Sequence, residues 1–321
     1  MKCIFLYNPN SGKGKLTKHL DYINKELSKK FDYVKMYATS SKEDMCNMAS
    51  LACSEYDSII FSGGDGTFND VCNCVSKNDA RPILGYIPSG TANDISKNLK
   101  LSKNFKKALK VIIEGNTIKH DVGMINDMYF MYVCGCGTFT SVSYETSQKW
   151  KKIFGRLAYA FDGMKELQSP TVVNAKIKLD SGEVIEHNCP LFLVLNSRSI
   201  GGIPMNKRGH LNDGKFDVVA CKKFWTYIGG IINLVLIGTF RGRDHSAYYD
   251  FYRSSEIEIN VSDDIIWCVD GEKGPRGNVK IKNLPGWLTI YVPKKHNKLF
   301  LSNKKFNLLL EKRKKYENNS R

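Results

Sequence analysis

Residues 57–70 read DSIIFSGGDGTFND. Asp57 to Ser62 is an apolar, strand-like run, Gly63 to Thr67 is a glycine turn, and Phe68 to Val75 continues at helical spacing. The same grammar extends outward on both sides. Residues 2–7, KCIFLY, form a short apolar run stopped by Asn8-Pro9 and Gly12, and Leu16, Leu20, Ile23 and Leu27 then recur with a helical period. Val34 to Ala38 reads as a second strand, Met45 to Ala52 as a helix, and Ile83 to Pro88 (ILGYIP) as a further strand ending at its proline. Strands alternating with helices predict a doubly wound α/β domain, a parallel sheet covered on both faces. Ligands bind such sheets beyond the carboxyl ends of their strands.

From about Val122 the pattern changes. Met128 to Val133, Val173 to Leu179, Leu191 to Asn196, Phe216 to Cys221, Glu256 to Val261, Ile265 to Val269 and Leu288 to Val292 are strand-like, with few helices between them. This predicts a mostly antiparallel β-sandwich as the C-terminal domain. The expected division is a nucleotide-binding domain over 1–122 and a β-rich domain over 123–292, with 293–321 packing back on the first. Residues 294–321 hold ten Lys or Arg against Glu311 and Glu317, with apolar residues from Leu299 to Leu310 suggesting a one-sided helix.

A chain of 321 residues with 42% hydrophobic and 25% charged residues excludes collagen-like, coiled-coil and wholly disordered proteins. The net charge of +16 favours phosphate-bearing partners: nucleotides, nucleic acid or anionic lipid. Tyr248, Tyr249, Phe251 and Tyr252 supply aromatics, yet no RNA-binding or helix-turn-helix signature accompanies them, so no nucleic-acid partner is expected. The ten cysteines include no CxxC, and the pairs Cys72/Cys74 and Cys134/Cys136 lie in apolar stretches. They read as buried free thiols in a reducing cytoplasm. The N-terminus lacks a signal-peptide core, and the longest apolar run, Phe224 to Phe240, contains Asn233 and falls short of a spanning helix.

Three glycine-containing turns each close a strand: NPNSGKG at 8–14, GGDGTFND at 63–70 and PSGTAND at 88–94. On a parallel sheet they converge at one edge. Glycine lets backbone approach a phosphate, and exposed amides at the following helix supply partial positive charge. None has Walker or GxGxxG spacing. Asp65 lies among small residues at a strand end, where it either reaches a metal or hydroxyl or caps the helix beginning near Thr67.

NPNSG, GGDGTFND and PSGTAND, in this order, with LNDGKFDVV at 211–219 and VDGE at 269–272, resemble the diacylglycerol kinase catalytic domain family, which includes sphingosine and ceramide kinases. The resemblance covers about residues 2–293 and is strongest to the soluble bacterial diacylglycerol kinases. It implies an NAD kinase/phosphofructokinase-like first domain and an enzyme that moves the γ-phosphate of ATP, with Mg2+, to diacylglycerol, giving phosphatidic acid. It implies that Asn8, Pro9, Asn10, Ser11, Gly12, Thr39, Gly64, Asp65, Gly66, Thr67, Phe68, Asn69, Asp70 and Thr91 surround ATP. Asp65, Asp270 and Glu272 become the catalytic carboxylates. His210, Asp213 and Lys215 become a second Mg2+ site, the first and last through main-chain oxygen. Lys13 and Lys15 are further candidates for charge compensation.

The family usually has Glu at the place of Asp70 and Arg at that of Lys97, so Lys97 keeps charge without the bidentate fork. Alternate residues of a strand face opposite ways, so spacing alone does not choose between Asp270 and Glu272 as the base. A lipid acceptor implies a cytoplasmic protein associated peripherally with the inner membrane face, with the basic tail as a transient contact to anionic lipid. Family members commonly form homodimers. Another lipid alcohol, or a soluble acceptor as in NAD kinases, stays open as the alternative substrate.

Overall fold

The computed structural model describes residues 1–10, 16–90, 93–137, 172–200, 203–204, 209–222, 249–294, 300–302 and 305–312. Ser11, Gly12, Lys13, Lys15, Thr91, the run Phe224 to Phe240, and 295–299 and 313–321 of the basic tail lie outside the described residues. The chain forms two compact units. The first comprises Met1–Val122, His210–Asp213 and Pro285–Arg321; the second comprises Gly123–Gly209 and Gly214–Leu284.

In the first unit, β1 (Lys2–Tyr7), β2 (Tyr33–Ala38), β3 (Ser58–Gly63) and β4 (Ile83–Pro88) form a parallel sheet in the order β2-β1-β3-β4. Every residue of β3 is buried, as a strand covered on both faces requires. The helices between strands are α1 (Leu20–Leu27), α2 (Lys42–Glu55) and α3 (Asp65–Ser76); α4 (Asp94–Asn98) and α5 (Phe105–Glu114) follow β4. Their ends obey local rules. Ser41 caps α2 by accepting the Asp44 amide at 3.0 Å, and Asn104 caps α5 by accepting the amides of Lys106 and Lys107. On α3, Phe68, Val71, Cys72 and Val75 recur at helical spacing and are all buried.

The strand order places a topological switch between β1 and β3: the chain leaves β1 for β2 on one side and crosses back to β3 on the other. The turn that begins at 8–10 and the glycine stretch at 63–67 follow the carboxyl ends of these two strands. The strand Val279–Tyr291 adds its last residues beside β4, Ile290 opposite Leu84. Phe300 and Phe306, the latter on a helix α6 over 305–312, are both buried in the chain's last segment.

The second unit is a β-sandwich. Its strands are β5 (Thr117–Ile125, whose end enters this unit), β6 (Met128–Phe130), β7 (Val133–Gly137), β8 (Val173–Leu179), β9 (Val184–Cys189), β10 (Leu191–Leu195), the short pair β11 (Ser199–Ile200) and β12 (Ile203–Pro204), β13 (Phe216–Cys221), β14 (Tyr249–Ser254), β15 (Glu256–Asn260), β16 (Ile266–Val269), β17 (Glu272–Arg276) and β18 (Val279–Tyr291). One layer runs β18-β15-β8-β9 and the other β14-β13-β10-β7-β16-β17, all pairs antiparallel. Alternation on β8 sends Val173, Ala175, Ile177 and Leu179 inward and leaves Asn174, Lys176 and Lys178 exposed. Ile177, Ile257 and Ile281 meet Phe192, Val218 and Trp267 in a shared apolar core.

The sequence reading differs from the structure in three places. Met128 to Val133 is expected as one strand and is instead broken at Met131 and Tyr132. Strands β9 and β17 carry no legible pattern, since VIEHNC is largely polar and EKGPR contains Gly274 and Pro275. Cys46 and Cys74 form a disulfide, because they face each other across the packed helices α2 and α3 with Cα atoms 5.6 Å apart. This corrects the reading of Cys74 as a free thiol; the other eight cysteines are free and buried.

Because Ile177 is fully buried between the layers, Ile177→Ala is expected to lower unfolding free energy by about 2–5 kcal/mol. Val184→Ala, at an exposed position, is expected to stay within about 0.5 kcal/mol of wild type. Urea denaturation measures both.

Candidate active site

The turns after β3 and β4 are joined through backbone. The carbonyl of Gly63 accepts the amides of Ser89 (2.8 Å) and Gly90 (3.2 Å) and the buried hydroxyl of Tyr86 (3.0 Å). Gly64 and Gly90 then approach so closely that a Cβ on Gly90 would lie 2.5 Å from the Gly64 Cα. Only glycine permits this approach. Asn93, in the left-handed region at φ +50°, donates its side-chain amide to the Gly90 carbonyl at 2.6 Å and tightens the second turn.

Asp65 belongs to the same junction. Its Oδ1 accepts the Ile95 amide at 3.0 Å, so the carboxylate serves the start of α4 rather than capping the helix it opens. Burial pushes its pKa up, and backbone amides of Ile95, Asp94 and Asn93 offset part of that shift.

The other motif residues divide between turns and buried scaffold. Asn8 accepts the Asn10 amide at 2.8 Å, folding Asn8-Pro9-Asn10 into a turn at the end of β1. Gly66 and Thr67 form the first turn of α3, with the Thr67 side chain filling the space over Gly63. Phe68 is fully buried against Phe61 and Tyr86, on the helical face it shares with Val71 and Val75. Asn69 is buried, its side-chain oxygen accepting from Asn73. Thr39 is buried with its hydroxyl on the Tyr7 carbonyl, and Asp70 pairs with Lys42 of α2 at 2.7 Å. Lys97 pairs with Asp94 at 2.5 Å.

In the second unit, VDGE is a two-residue hairpin. Val269 of β16 lies opposite Glu272 of β17, and Asp270 and Gly271 both have positive φ, +50° and +89°, as a type I′ turn requires. Asp270 is buried, and its carboxylate accepts three successive amides: Met131 at 2.6 Å, Tyr132 at 3.0 Å and Val133 at 2.9 Å. These bonds explain the break between β6 and β7. Glu272 is exposed. The hairpin does not bring the two carboxylates into one environment.

Of the residues expected to hold a second metal, His210 and Asp213 belong to the first unit and Lys215 to the second. Asn212 holds Leu301 through both its amide oxygen (2.6 Å) and its amide nitrogen (3.3 Å). The sequence reading missed Asp121. It is fully buried, its amide bonds to the Leu211 carbonyl at 2.9 Å, and its Oδ1 accepts the Gly286 amide at 2.7 Å. A lone Asp at the end of IKHDVG carries no spacing signal; it becomes visible only when residues 211 and 286 fold against it. Neighbouring His120 stays neutral, its pKa pushed down to about 4 by burial. Among the described residues no group of three or more His, Cys, Asp or Glu gathers into a metal cluster. No helix among them is long and apolar enough to cross a membrane.

The first unit is a parallel α/β sheet with glycine turns at the carboxyl ends of its strands, and the second is an antiparallel β-sandwich. Comparison with known proteins assigns the family. The sequence profile of the diacylglycerol kinase catalytic domain matches residues 2–125. A diacylglycerol kinase from Staphylococcus carnosus is 33% identical over 292 residues, covering 90% of this chain and 94% of its own. One from Bacillus subtilis is 32% identical over 295 residues, covering 90% and 95%. Two crystal structures of Bacillus anthracis str. Sterne proteins share the fold. The first has a TM-score of 0.80 at 26% identity, covering 91% of this chain and 95% of the other. The second, a diacylglycerol kinase, has a TM-score of 0.74 at 24% identity, covering 91% and 97%. The chain belongs to the diacylglycerol kinase family and is a kinase.

Two outcomes test the junction. Gly90→Ala forces a side chain into Gly64 and is expected to cost about 1–3 kcal/mol in thermal or urea denaturation, with weakened nucleotide binding. Asp65→Asn is expected to retain or raise the melting temperature at pH 7, because the folded state raises the Asp65 pKa and thereby disfavours the charged carboxylate. As pH falls through that raised pKa toward the ordinary 3.8, wild-type Asp65 becomes neutral, and the margin between the two proteins should close. Melting curves across pH 4–8 read this directly.

Proposed function

We propose that this protein transfers the γ-phosphate of ATP to the free hydroxyl of diacylglycerol, producing phosphatidic acid. The observation that carries the reading is the Gly64–Gly90 junction, with a buried, charge-disfavoured Asp65 beside bare backbone at the carboxyl end of a parallel sheet. Phosphoryl transfer needs positioning and charge neutralisation more than covalent chemistry, and backbone amides with short polar side chains provide the first. In this reading Asn8, Asn10, Gly64, Gly66 and Thr67 border the triphosphate.

Bound Mg2+ would neutralise the phosphate oxygens. It prefers oxygen ligands and keeps several waters, so single carboxylates such as Asp65 and Asp213 fit it without a clustered cage. The acceptor is read as a lipid because the curated relatives from Staphylococcus carnosus and Bacillus subtilis are diacylglycerol kinases over nearly their whole lengths. The chain's +16 charge suits transient contact with an anionic bilayer, each cation near the surface contributing about 1 kcal/mol.

The test is transfer of label from γ-labelled ATP with Mg2+ into a mixed lipid extract, resolved beside diacylglycerol and phosphatidic acid standards. Label is expected at phosphatidic acid. Label in another lipid would replace the acceptor, and label confined to a soluble acceptor such as NAD would overturn the lipid assignment.

A further inference from the structure

Of the chain's ten cysteines, Cys46 alone is partly exposed; the other nine are buried. Cys46 is also one half of the disulfide to Cys74. The pair lies on matching stripes of two helices. Lys42 and Cys46 stand one turn apart on α2, and Asp70 and Cys74 one turn apart on α3. Each residue of the first stripe meets its counterpart on the second, Lys42 with Asp70 at 2.7 Å and Cys46 with Cys74. The ion pair is exposed on its Lys42 side and holds weakly, so the disulfide is the strong tie between the stripes. Burial pushes the thiols of Cys3 and Cys189 up to about 12 and that of Cys53 to about 11, which keeps them protonated at neutral pH. The helix that carries Cys74 also opens the glycine junction. In its first turn the Thr67 side chain fills the space over Gly63, and Asp65 Oδ1 holds the Ile95 amide at 3.0 Å.

We propose that Cys46 and Cys74 are a reversible dithiol–disulfide switch that fixes the start of α3 when closed, loosens it when open, and so tunes the affinity of the glycine turns for nucleotide. The nucleotide part of the inference rests on the kinase reading. Position argues for reversibility, because a disulfide that solvent reaches is the labile kind, whereas a structural one is shut inside. Closing the bond needs an oxidant, and a small-molecule disulfide supplies it. The Cys46 thiolate, its proton released to water, attacks one sulfur of that molecule, forming a mixed disulfide and expelling one thiolate. The Cys74 thiolate, its proton likewise released, attacks the Cys46 sulfur and expels the second. Two cysteine thiols are oxidised, and the small disulfide is reduced to two thiols. Excess small thiol runs the same exchange backwards. Bonded sulfurs approach more closely than two thiols can, so opening the pair shifts α3 against α2. A close-packed interior transmits that shift to the first turn of α3 instead of absorbing it.

The full chain, equilibrated in buffers of stepped glutathione to glutathione disulfide ratio, tests this. Alkylation with mass spectrometry reads the thiols of Cys46 and Cys74, hydrogen exchange reads α3, and titration with ATP and Mg2+ gives a Kd. Wild type is expected to pass between dithiol and disulfide while its circular dichroism stays that of the folded protein. In the reduced form the amides of 65–70 are expected to exchange about tenfold faster. Reduced protein is expected to bind ATP about fivefold more weakly, and by linkage saturating ATP shifts the dithiol–disulfide midpoint toward disulfide by the same factor. Cys46→Ala is expected to show the reduced-form exchange and Kd in every buffer. Thiols that stay free under excess glutathione disulfide overturn the switch, as does a disulfide that opens only when the protein unfolds. Equal exchange and equal Kd in the two states overturn the coupling to α3, and a Cys46→Ala protein that still responds to the buffer overturns the assignment to this pair. Protein that binds no nucleotide in either state would instead refute the kinase reading, with alkylation and exchange still deciding the switch.

Discussion

The carbonyl of Gly63 is the point on which the first unit depends. It stands at the end of β3 and receives two amides from the turn after β4 and a hydroxyl from β4 itself, so two separate crossovers end on one atom. That convergence draws Gly64 against Gly90 and leaves no room for side chains between the turns. What would be a steric fault elsewhere creates a stretch of bare, donor-rich backbone where a phosphate can come close. The large rings beneath support it: Phe61, Phe68 and Tyr86 pack on one another with centroids 4.8 to 5.5 Å apart, fixing the height of α3 over the sheet.

The buried carboxylates show how differently one chemical group can be used. Asp121 and Asp270 receive main-chain amides and hold together segments far apart in sequence, Gly286 in one case and Met131 to Val133 in the other. Each satisfies donors that the strand ladders leave over. Asp65 also receives amides, but burial outweighs them and its charged form remains disfavoured. The ion pairs on the outer sandwich face, such as Lys280 with Glu256 and Glu258, are exposed and contribute little to the fold.

Much of the architecture was legible. Strands β1, β4, β8 and β13 have the bounds their apolar runs predict, and the alternation of strand with helix implied a parallel sheet before any coordinates. Failures followed physical lines. Strand β17 holds Gly274 and Pro275 and pairs only because its hairpin turn delivers it to β16. The break at Met131 and Tyr132 is invisible in an apolar run because its cause, Asp270, lies about 140 residues away. Phe68 sits inside a glycine-turn motif, yet its helical phase, shared with Val71 and Val75, marks its side chain as core.

The sequence by itself determined the fold class and the places of the glycine turns, because both are written in local periodicity and in glycines that follow strands. Only the tertiary structure decided which residues of those motifs are buried or bound into the scaffold and which stay exposed. Asp65, Asp70, Asp121, Asp213, Asp270 and Glu272 differ little as letters. Their surroundings separate them: amides from α4 on Asp65, Lys42 on Asp70, the Gly286 amide on Asp121, a buried turn on Asp270, and solvent on Glu272. Such partners come from chain segments distant in sequence, and burial and hydrogen bonding set the role of a carboxylate only after those segments meet.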